Sequence, residues 1–394
     1  MFKKICLFTN YNQYESKRHF TKKFVEALNR QNIETKVIDA NEKVIDVESV
    51  KSLHEFAPDF TCSFNSMNPL RGGKFLWDFL KIPHLSFLVD PSFYATDLIE
   101  SPYSIISCVD RSDCSAIRTS GFENVLFFPH AVERDLAPEK GVERDLDVVF
   151  LGSCYDYESL RMAWRARNPE ALNKVLDDAI DIVFSTDRLS LAEALVEAWN
   201  ISKCDPRGVD FPVLYSYLDN YTRGKDRVEL IRSITNAKIH VFGELSPDNP
   251  VGILGWSQYL KAQSNVTVHP PMPYSEIFPI LKRAKIVLNS MPFFRDGTHE
   301  RIFNALACGG LPVTSESMYL REQFKDGQEM VFYQGSNRGA VNAKVDDFLS
   351  NEKKRQEAVM HGRDKVMKHH TWDARVEQLN KELPPVIKKI RAGA

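Results

Sequence analysis

The sequence predicts an α/β protein with two domains, each built on a parallel β-sheet covered by helices. Short apolar runs alternate with longer segments of helical periodicity through both halves of the chain. The length of 394 residues exceeds what one hydrophobic core usually serves, so two domains are expected. A charged stretch near residues 137–147, which contains Pro138 and Gly141, interrupts the alternation and is interpreted as the linker.

The first half carries the pattern of a parallel sheet. Residues 4–9 predict a buried strand, residues 17–32 an amphipathic helix, and residues 34–39 a second strand. Further strands are predicted at residues 60–65, 84–90, 104–110 and 124–129. Because ligands gather where parallel strands end, the polar residues after these strands are candidate site residues, although each also suits the capping of a turn. They are Asn10, Tyr11, Asn65, Ser66, Asp90 and His130.

The second half opens with a strand at residues 147–151, which leads into Gly152 and Ser153. Residues 155–235 show helical periodicity and few strand signals, which predicts a helical insertion. Strands resume at residues 238–242, 266–269, 286–289 and 311–314. Residues 376–391 predict an amphipathic surface helix, interrupted at Pro384 and Pro385, that packs on the first domain.

Composition narrows the class of protein. With 43% hydrophobic residues, 26% charged residues and a net charge of -2, the chain is typical of a soluble globular protein and has no general affinity for nucleic acid. The apolar run at residues 5–8 is too short for a signal peptide or a membrane span, so a cytoplasmic location is expected. The seven cysteines lack Cys-x-x-Cys or zinc-site spacing and are interpreted as reduced structural thiols.

The segment from Asn289 to Ser315 is the most informative part of the chain. It predicts a strand, a polar loop with Gly297, a short helix, and a second strand. Thr298 suits the helix N-cap, the free amides at the helix start suit phosphate oxygens, and Arg301 adds a forked cation. The segment therefore predicts a site for a phosphate-bearing ligand, and the alternative is a solvated loop before an ordinary helix.

Other motifs exclude common enzyme classes. Walker-type, Gly-x-Ser-x-Gly and Gly-x-Gly-x-x-Gly sequences are absent, which argues against the usual ATPases, hydrolases and dehydrogenases. Asp145 and Asp147 form a carboxylate pair that resembles a metal site. The pair begins a strand, whereas a magnesium site would need ligands that converge with phosphate at the other end, so no metal site is predicted.

Several motifs together resemble the spore-maturation type (CgeB-like) of bacterial glycosyltransferases, which are similar to the retaining glycosyl transferases of group 1. They are Leu-Val-Asp-Pro at 88–91, Cys-Val-Asp-Arg at 108–111, Phe-Phe-Pro-His-Ala-Val at 127–132, Phe-Leu-Gly-Ser at 150–153, and the run at 289–315. The resemblance implies a GT-B fold, in which two Rossmann-like domains face a cleft. Residues 1–143 would form the acceptor domain, residues 144–372 the nucleotide-sugar donor domain, and residues 373–394 a helix that returns to the first domain.

The resemblance also implies roles for individual residues. Asp296 and Asn304 stand where the family has two glutamates seven residues apart, the first beside the transferred sugar and the second on the ribose. Asparagine retains the hydrogen bonds that ribose needs. Glu300 would supply a carboxylate instead, either to ribose or to Arg301. The residues implied to bind diphosphate are Gly297, Thr298, His299 and Arg301, with Gly152 and Ser153 opposite.

The implied chemistry is transfer of a sugar from a nucleotide-diphosphate sugar to an acceptor hydroxyl. Amides, a helix N-terminus and a cation stabilise the departing diphosphate, so no metal or other cofactor is expected. Retention with proton transfer to the leaving phosphate is expected, whereas a base in the first domain such as Asp90 or His130 would indicate inversion. The acceptor is a protein, a glycan or a small molecule. The alternatives are a sugar-phosphate epimerase or phosphorylase, or a binding protein without catalysis.

Overall fold

The computed structural model describes residues 2–40, 46–70, 72–205, 207–245 and 253–393. The strands are β1 Lys4–Thr9, β2 Glu34–Asp39, β3 Phe60–Phe64, β4 His84–Leu88, β5 Ser104–Cys108, β6 Val125–Phe127, β7 Leu146–Leu151, β8 Ile239–Phe242, β9 Val266–His269, β10 Ala284–Asn289, β11 Leu311–Ser315 and β12 Val331–Tyr333. They form two parallel six-stranded sheets, which confirms the predicted fold class.

Helices cover both sheets. They are α1 Ser16–Arg30, α2 Val47–Phe56, α3 Leu76–Leu80, α4 Arg111–Thr119, α5 Tyr157–Arg167, α6 Glu170–Ser185, α7 Leu191–Ser202, α8 Phe211–Arg232, α9 Trp256–Tyr259, α10 Ile277–Arg283, α11 Glu300–Cys308, α12 Met318–Gln323, α13 Gly339–Ser350, α14 Glu352–His369 and α15 Trp372–Gly393. Within the described ranges, no helix is long and apolar enough to cross a membrane.

The chain divides into two compact units. Unit 1 contains residues 1–136, 273–275 and 367–394, and unit 2 contains residues 137–272 and 276–366. The strand order is β2-β1-β3-β4-β5-β6 in unit 1 and β12-β11-β10-β7-β8-β9 in unit 2. The order therefore reverses between β1 and β3 in the first sheet and between β7 and β10 in the second. In open α/β sheets, ligands bind beside such switch points, at the carboxyl ends of the strands.

Unit 1 closes its core with residues from both ends of the chain. The Trp372 ring of α15 lies 5.8 Å from the Phe24 ring and 5.5 Å from the Phe64 ring, measured between centroids. Arg30 of α1 donates to Asp373 from Nε at 2.8 Å and from Nη2 at 2.6 Å. The helix after residue 372 is thus an integral part of unit 1.

A buried histidine lies inside the same sheet. His84 of β4 is fully buried, and its ring stacks on Trp77 with 3.8 Å between centroids. Thr61 Oγ1 lies 2.8 Å from Nδ1 of His84, and Ser63 Oγ lies 3.1 Å from Nε2. Burial lowers the pKa of His84 to about 3, so the ring is neutral in the folded protein.

The structure corrects two details of the sequence prediction. The strand β12 was not predicted, because its three residues carry too short an apolar run to be recognised. Pro384 and Pro385 were expected to interrupt the C-terminal helix, yet α15 contains both. The apolar face with Leu383 and Ile387 is buried, and this packing compensates for the backbone hydrogen bonds that proline removes.

Candidate nucleotide-sugar site

The switch point of unit 2 brings together two segments that are far apart in sequence. Gly152 and Ser153 directly follow β7, and the loop before α11 follows the neighbouring strand β10. A Cβ atom added to Gly152 would lie 3.6 Å from Nη2 of Arg301 and 3.5 Å from Nη1 of Arg227. Two guanidinium groups therefore converge on one glycine that has no side chain to separate them from a ligand.

Arg301 is held in place by residues of the neighbouring strands β10 and β11. Its Nη1 donates to Oδ1 of Asn289 at 3.0 Å, and Nδ2 of Asn289 donates to Thr314 Oγ1 at 2.9 Å. Asn289 and Thr314 are both fully buried. The guanidinium thus has a fixed orientation before any ligand binds, which lowers the entropic cost of binding.

The start of α11 differs by one residue from the prediction. The N-cap is His299, with φ of -129° and ψ of 138°, and the predicted cap Thr298 is fully buried one residue earlier. His299 Nδ1 lies 3.4 Å from the Arg301 backbone nitrogen and 3.0 Å from Oε2 of Glu300. Burial lowers the pKa of His299, Arg301 and Arg227 lower it further, and Glu300 raises it.

The loop between β10 and α11 is fixed at several points along its backbone and side chains. Ser317 Oγ donates to the Gly297 carbonyl at 2.8 Å, and the Met318 amide donates to the Arg295 carbonyl at 2.8 Å. The Arg295 side chain is buried and pairs with Asp187 at 3.1 Å. The loop is therefore tied both to α12 and to the turn between α6 and α7.

Arg227 is a site residue that the sequence analysis missed. It lies on α8, is 5% exposed, and donates from Nη1 to the Ser153 carbonyl at 2.8 Å. Among the described residues, no carboxylate forms an ion pair with it, and its buried Nε has no hydrogen-bond partner. Burial lowers the pKa of Arg227, Tyr155 and Asp219 raise it, and the charge of Arg223 lowers it. A buried cation that forms no ion pair is costly, which is typical of a site built for an anion.

Gly224 explains how α8 reaches the site. A Cβ atom there would lie 2.7 Å from the Tyr155 carbonyl oxygen and 2.9 Å from Cβ of Tyr157. Only glycine permits this approach between α8 and the segment after β7. A glycine in the interior of a helical segment, three residues before an arginine, is a sequence signal that could have indicated this residue, but the sequence analysis did not use it.

The remaining candidates lie in three places. Asn304 is 2% exposed, inside α11 one turn after Glu300, and Asp296 lies in the loop before that helix. Asp90 and His130 belong to unit 1, where they follow β4 and β6 and are separated by β5. Asp90 Oδ2 accepts a hydrogen bond from Nδ2 of Asn65 at 2.9 Å, and His130 is 4% exposed.

The carboxylates at the start of β7 are engaged in ion pairs. Arg283 Nε donates to Asp145 Oδ1 at 2.8 Å, and Lys285 pairs with Asp147 at 2.6 Å. The contact with Arg283 lowers the pKa of Asp145. Both carboxylates lie at the amino end of β7, whereas Gly152 lies at its carboxyl end.

Comparison with known proteins agrees with this geometry. Residues 225–381 match a family described as glycosyl transferase-like. This segment contains Arg227 and the whole loop and helix from residue 289 to residue 308. An uncharacterised protein of Aquifex aeolicus (strain VF5) is 20% identical over 296 residues, which cover 68% of this chain and 73% of that protein.

Solved structures share the architecture. Sucrose-phosphate synthase from Thermosynechococcus elongatus is 10% identical, with all of both chains covered and a TM-score of 0.60. AviGT4, a glycosyltransferase involved in avilamycin A biosynthesis, is 10% identical over 100% of this chain and 99% of its own, with a TM-score of 0.55. Anabaena HepE in complex with UDP and glucose is 10% identical over 97% and 99%, with a TM-score of 0.53.

The fold of this chain is GT-B, as the resemblance implied. With the match at residues 225–381, the protein is an enzyme of the glycosyltransferase class. The assignment to the spore-maturation subtype stays a prediction.

Proposed function

We propose that the protein acts in the cytoplasm and transfers a sugar from a nucleotide-diphosphate sugar to an acceptor hydroxyl. The observation that carries this proposal is the convergence of Arg227 and Arg301 on Gly152 at the switch point of unit 2. Two guanidinium groups that lie close to one glycine repel each other, and an anion between them would neutralise that repulsion. A diphosphate has the charge and the spread of oxygens to accept from both forks.

The other residues of the site take complementary roles in this proposal. The amides of Gly297 and Thr298 and the N-terminus of α11 receive phosphate oxygens, with His299 beside them. Gly152 and Ser153 form the opposite wall. Asn304 hydrogen-bonds the ribose hydroxyls, as donor and acceptor.

We assign catalytic roles to residues of both units. Asp296 and Glu300 lie nearest the diphosphate binders in sequence and are proposed to face the transferred sugar. In the transfer step, the bond between the anomeric carbon and the diphosphate oxygen breaks, and the acceptor oxygen bonds to that carbon. The acceptor proton passes to the leaving phosphate in a retaining reaction, or to Asp90 or His130 in an inverting one. We propose retention.

The proposed reaction requires no divalent cation. The leaving diphosphate gains negative charge as its bond to the sugar breaks, and fixed cations lower the barrier by stabilising that charge. Two guanidinium groups and a helix N-terminus supply positive charge where a magnesium ion would supply it. Asp145 and Asp147, the carboxylate pair of the sequence, are already neutralised by Arg283 and Lys285.

The first test is a thermal-shift screen against UDP, GDP, dTDP, CMP and ADP and their sugar conjugates. A ligand that binds only the folded protein raises its melting temperature. UDP is the first choice because HepE, which shares the fold, was solved with UDP and glucose. We expect one nucleoside diphosphate to raise the melting temperature, and hydrolysis of its sugar conjugate to be detectable. A screen in which none of them stabilises the protein would contradict the proposal.

Two arginine variants locate the site within unit 2. Arg301→Ala should lose the nucleotide-induced shift together with hydrolysis and transfer. Arg283→Ala is the matched control, because it removes the same group from an exposed ion pair at the amino end of β7. It should retain both properties. Full activity in Arg301→Ala would refute the proposed phosphate role.

A further inference from the structure

One turn of the helix α8 contacts the two strand ends at the switch point of unit 2. Arg227 donates to the carbonyl of Ser153, which follows β7, at 2.8 Å. Asp226, the preceding residue, accepts from Ser290 Oγ at 2.5 Å, and Ser290 directly follows β10. The strands β7 and β10 are neighbours in the sheet. Two consecutive residues of α8 therefore bond to the two segments between which the proposed diphosphate would lie.

The carboxylate of Asp226 has a second partner, Arg338, which is the N-cap of α13. Arg338 donates from Nε to Asp226 Oδ1 at 3.1 Å, and its Nη1 lies 3.1 Å from Glu229 Oε2. One guanidinium group thus joins two carboxylates of α8 to the segment that follows β12. Asp226 is 2% exposed, and a charge-assisted hydrogen bond shielded from water is stronger than one on the surface. These contacts fix the position of α8.

The other end of this network leads to Arg301. Ser290 is fully buried and follows Asn289, whose Oδ1 accepts from Arg301 Nη1 at 3.0 Å. Tyr333 donates from its hydroxyl to the Asn289 carbonyl at 3.2 Å. Burial raises the pKa of Tyr333 well above its usual value, so the hydroxyl stays protonated and remains a donor. The residue that orients Arg301 is therefore held in place by its own neighbour Ser290 and by Tyr333.

The same turn of α8 is also fixed on the side of β7. Gly224 allows the helix to approach the backbone of Tyr155, where a Cβ atom would lie 2.7 Å from the carbonyl oxygen. Gly224 and Asp226 thus hold α8 against the segments that follow β7 and β10, respectively. Because the hydrogen-bonded backbone of an α-helix is rigid over a single turn, these two contacts determine where the main chain of Arg227 lies.

We infer that Asp226 and Ser290 are positioning residues that set the spacing between the guanidinium groups of Arg227 and Arg301. They act through the two arginines and not by contact with the ligand. Their hydrogen bond fixes α8, which carries Arg227, against the end of β10, where Asn289 orients Arg301. With this spacing set before binding, a diphosphate contacts both forks without the entropic cost of ordering them. The inference rests on the proposed function, because it requires that both arginines bind the diphosphate.

The test is a double-mutant cycle, in which calorimetric titration measures the binding of inorganic pyrophosphate in metal-free buffer. The full chain is used as the wild type, Ser290→Ala, Arg227→Met and the double variant. Ser290→Ala should weaken pyrophosphate binding about fivefold in the wild type and less than about twofold in the Arg227→Met background, because no second guanidinium group is left to place. A purely structural role of Ser290 would give the same fold-change in both backgrounds.

Thr222→Val is the matched control, because it also removes a fully buried hydroxyl, one that donates to the Asp219 carbonyl at 3.1 Å within α8. It should leave the affinity for pyrophosphate unchanged. Asp226→Asn should weaken binding at least as much as Ser290→Ala, but loss of a buried charge also lowers stability, so Ser290→Ala is the deciding variant. Unchanged affinity in Ser290→Ala, or the same loss in both backgrounds, would overturn this inference alone. A wild type that does not bind pyrophosphate would refute the proposed phosphate role and this inference with it, so the two failures are distinguishable.

Discussion

Replacing Arg227 by methionine should stabilise the free protein and weaken its binding of the donor. The side chain is 5% exposed, and among the described residues it donates its hydrogen bond to the Ser153 carbonyl at 2.8 Å. Methionine has a similar length and fills the same buried space without a charge. The substitution therefore separates the folding role of this position from its ligand-binding role.

The expected magnitudes follow from these contacts. Removing the unsatisfied Nε and the buried charge gains more than the loss of one hydrogen bond costs, so the free energy of unfolding should rise by about 1–2 kcal/mol. For a domain of this size, that corresponds to a melting temperature higher by roughly 2–8 °C. Loss of charge-assisted hydrogen bonds to a diphosphate should weaken nucleotide binding about 10- to 150-fold.

The assay is thermal denaturation with and without the nucleotide found in the screen. Arg223→Met is the matched control on the same helix, because Arg223 donates to buried Asp219 at 2.6 Å. Breaking a buried ion pair typically destabilises a protein by about 3–5 kcal/mol, so the control should melt earlier than the wild type. If Arg227→Met also melts earlier and keeps the full nucleotide-induced shift, Arg227 is a structural residue and the reasoning is wrong.

Further predictions concern the approach of α8, the buried histidine and the role of metal ions. Gly224→Ala should destabilise unit 2 by about 1–3 kcal/mol and reduce nucleotide binding, because its Cβ would clash with the Tyr155 carbonyl at 2.7 Å. Gly339→Ala, which meets only Asn337 at 4.0 Å, is the control, and equal denaturation midpoints would contradict the clash. The pKa of His84 falls from 6.5 in the unfolded chain to about 3 in the folded protein, so its contribution to stability is complete above pH 6.5 and is lost as pH falls toward 3. Denaturant titrations should therefore show stability decreasing by about 1.4 kcal/mol per pH unit more in the wild type than in His84→Asn between pH 6 and pH 4, and parallel curves would exclude this role. Treatment with EDTA should leave the nucleotide-induced rise in melting temperature unchanged, and its loss would show that a metal ion takes part.

The sequence predicted the parts of the structure that depend on local pattern. Eleven of the strands have apolar runs that are visible in sequence, and the loop before α11 carries its glycine, arginine and helix start within a few residues. β12 was missed because three residues are too few to show a period. The predicted N-cap was Thr298, because threonine is a common N-cap residue. The observed N-cap is His299, and the fold buries Thr298 completely.

Arg227 shows what local pattern does not reveal. It lies 75 residues after Gly152 by number, on a helix that carries an ordinary mixture of charged and apolar residues. The residues around Arg227 in sequence do not indicate that α8 crosses the end of β7, because that placement depends on packing across the unit. Gly224 is the residue that allows α8 to approach this segment, but its role can be recognised only when the neighbouring backbone is known.

The discontinuity of unit 1 has a consequence for synthesis on the ribosome. Residues of unit 2 are complete at position 366, whereas unit 1 also needs residues 367–394. The domain that is translated first is therefore finished second, contrary to the usual order in which N-terminal domains fold first. Until Trp372 emerges, Phe24 and Phe64 lack a partner of their aromatic cluster. Chains that stop before residue 367 would hold a complete unit 2 with an unfinished unit 1, and such fragments are expected to be substrates for chaperones and proteases.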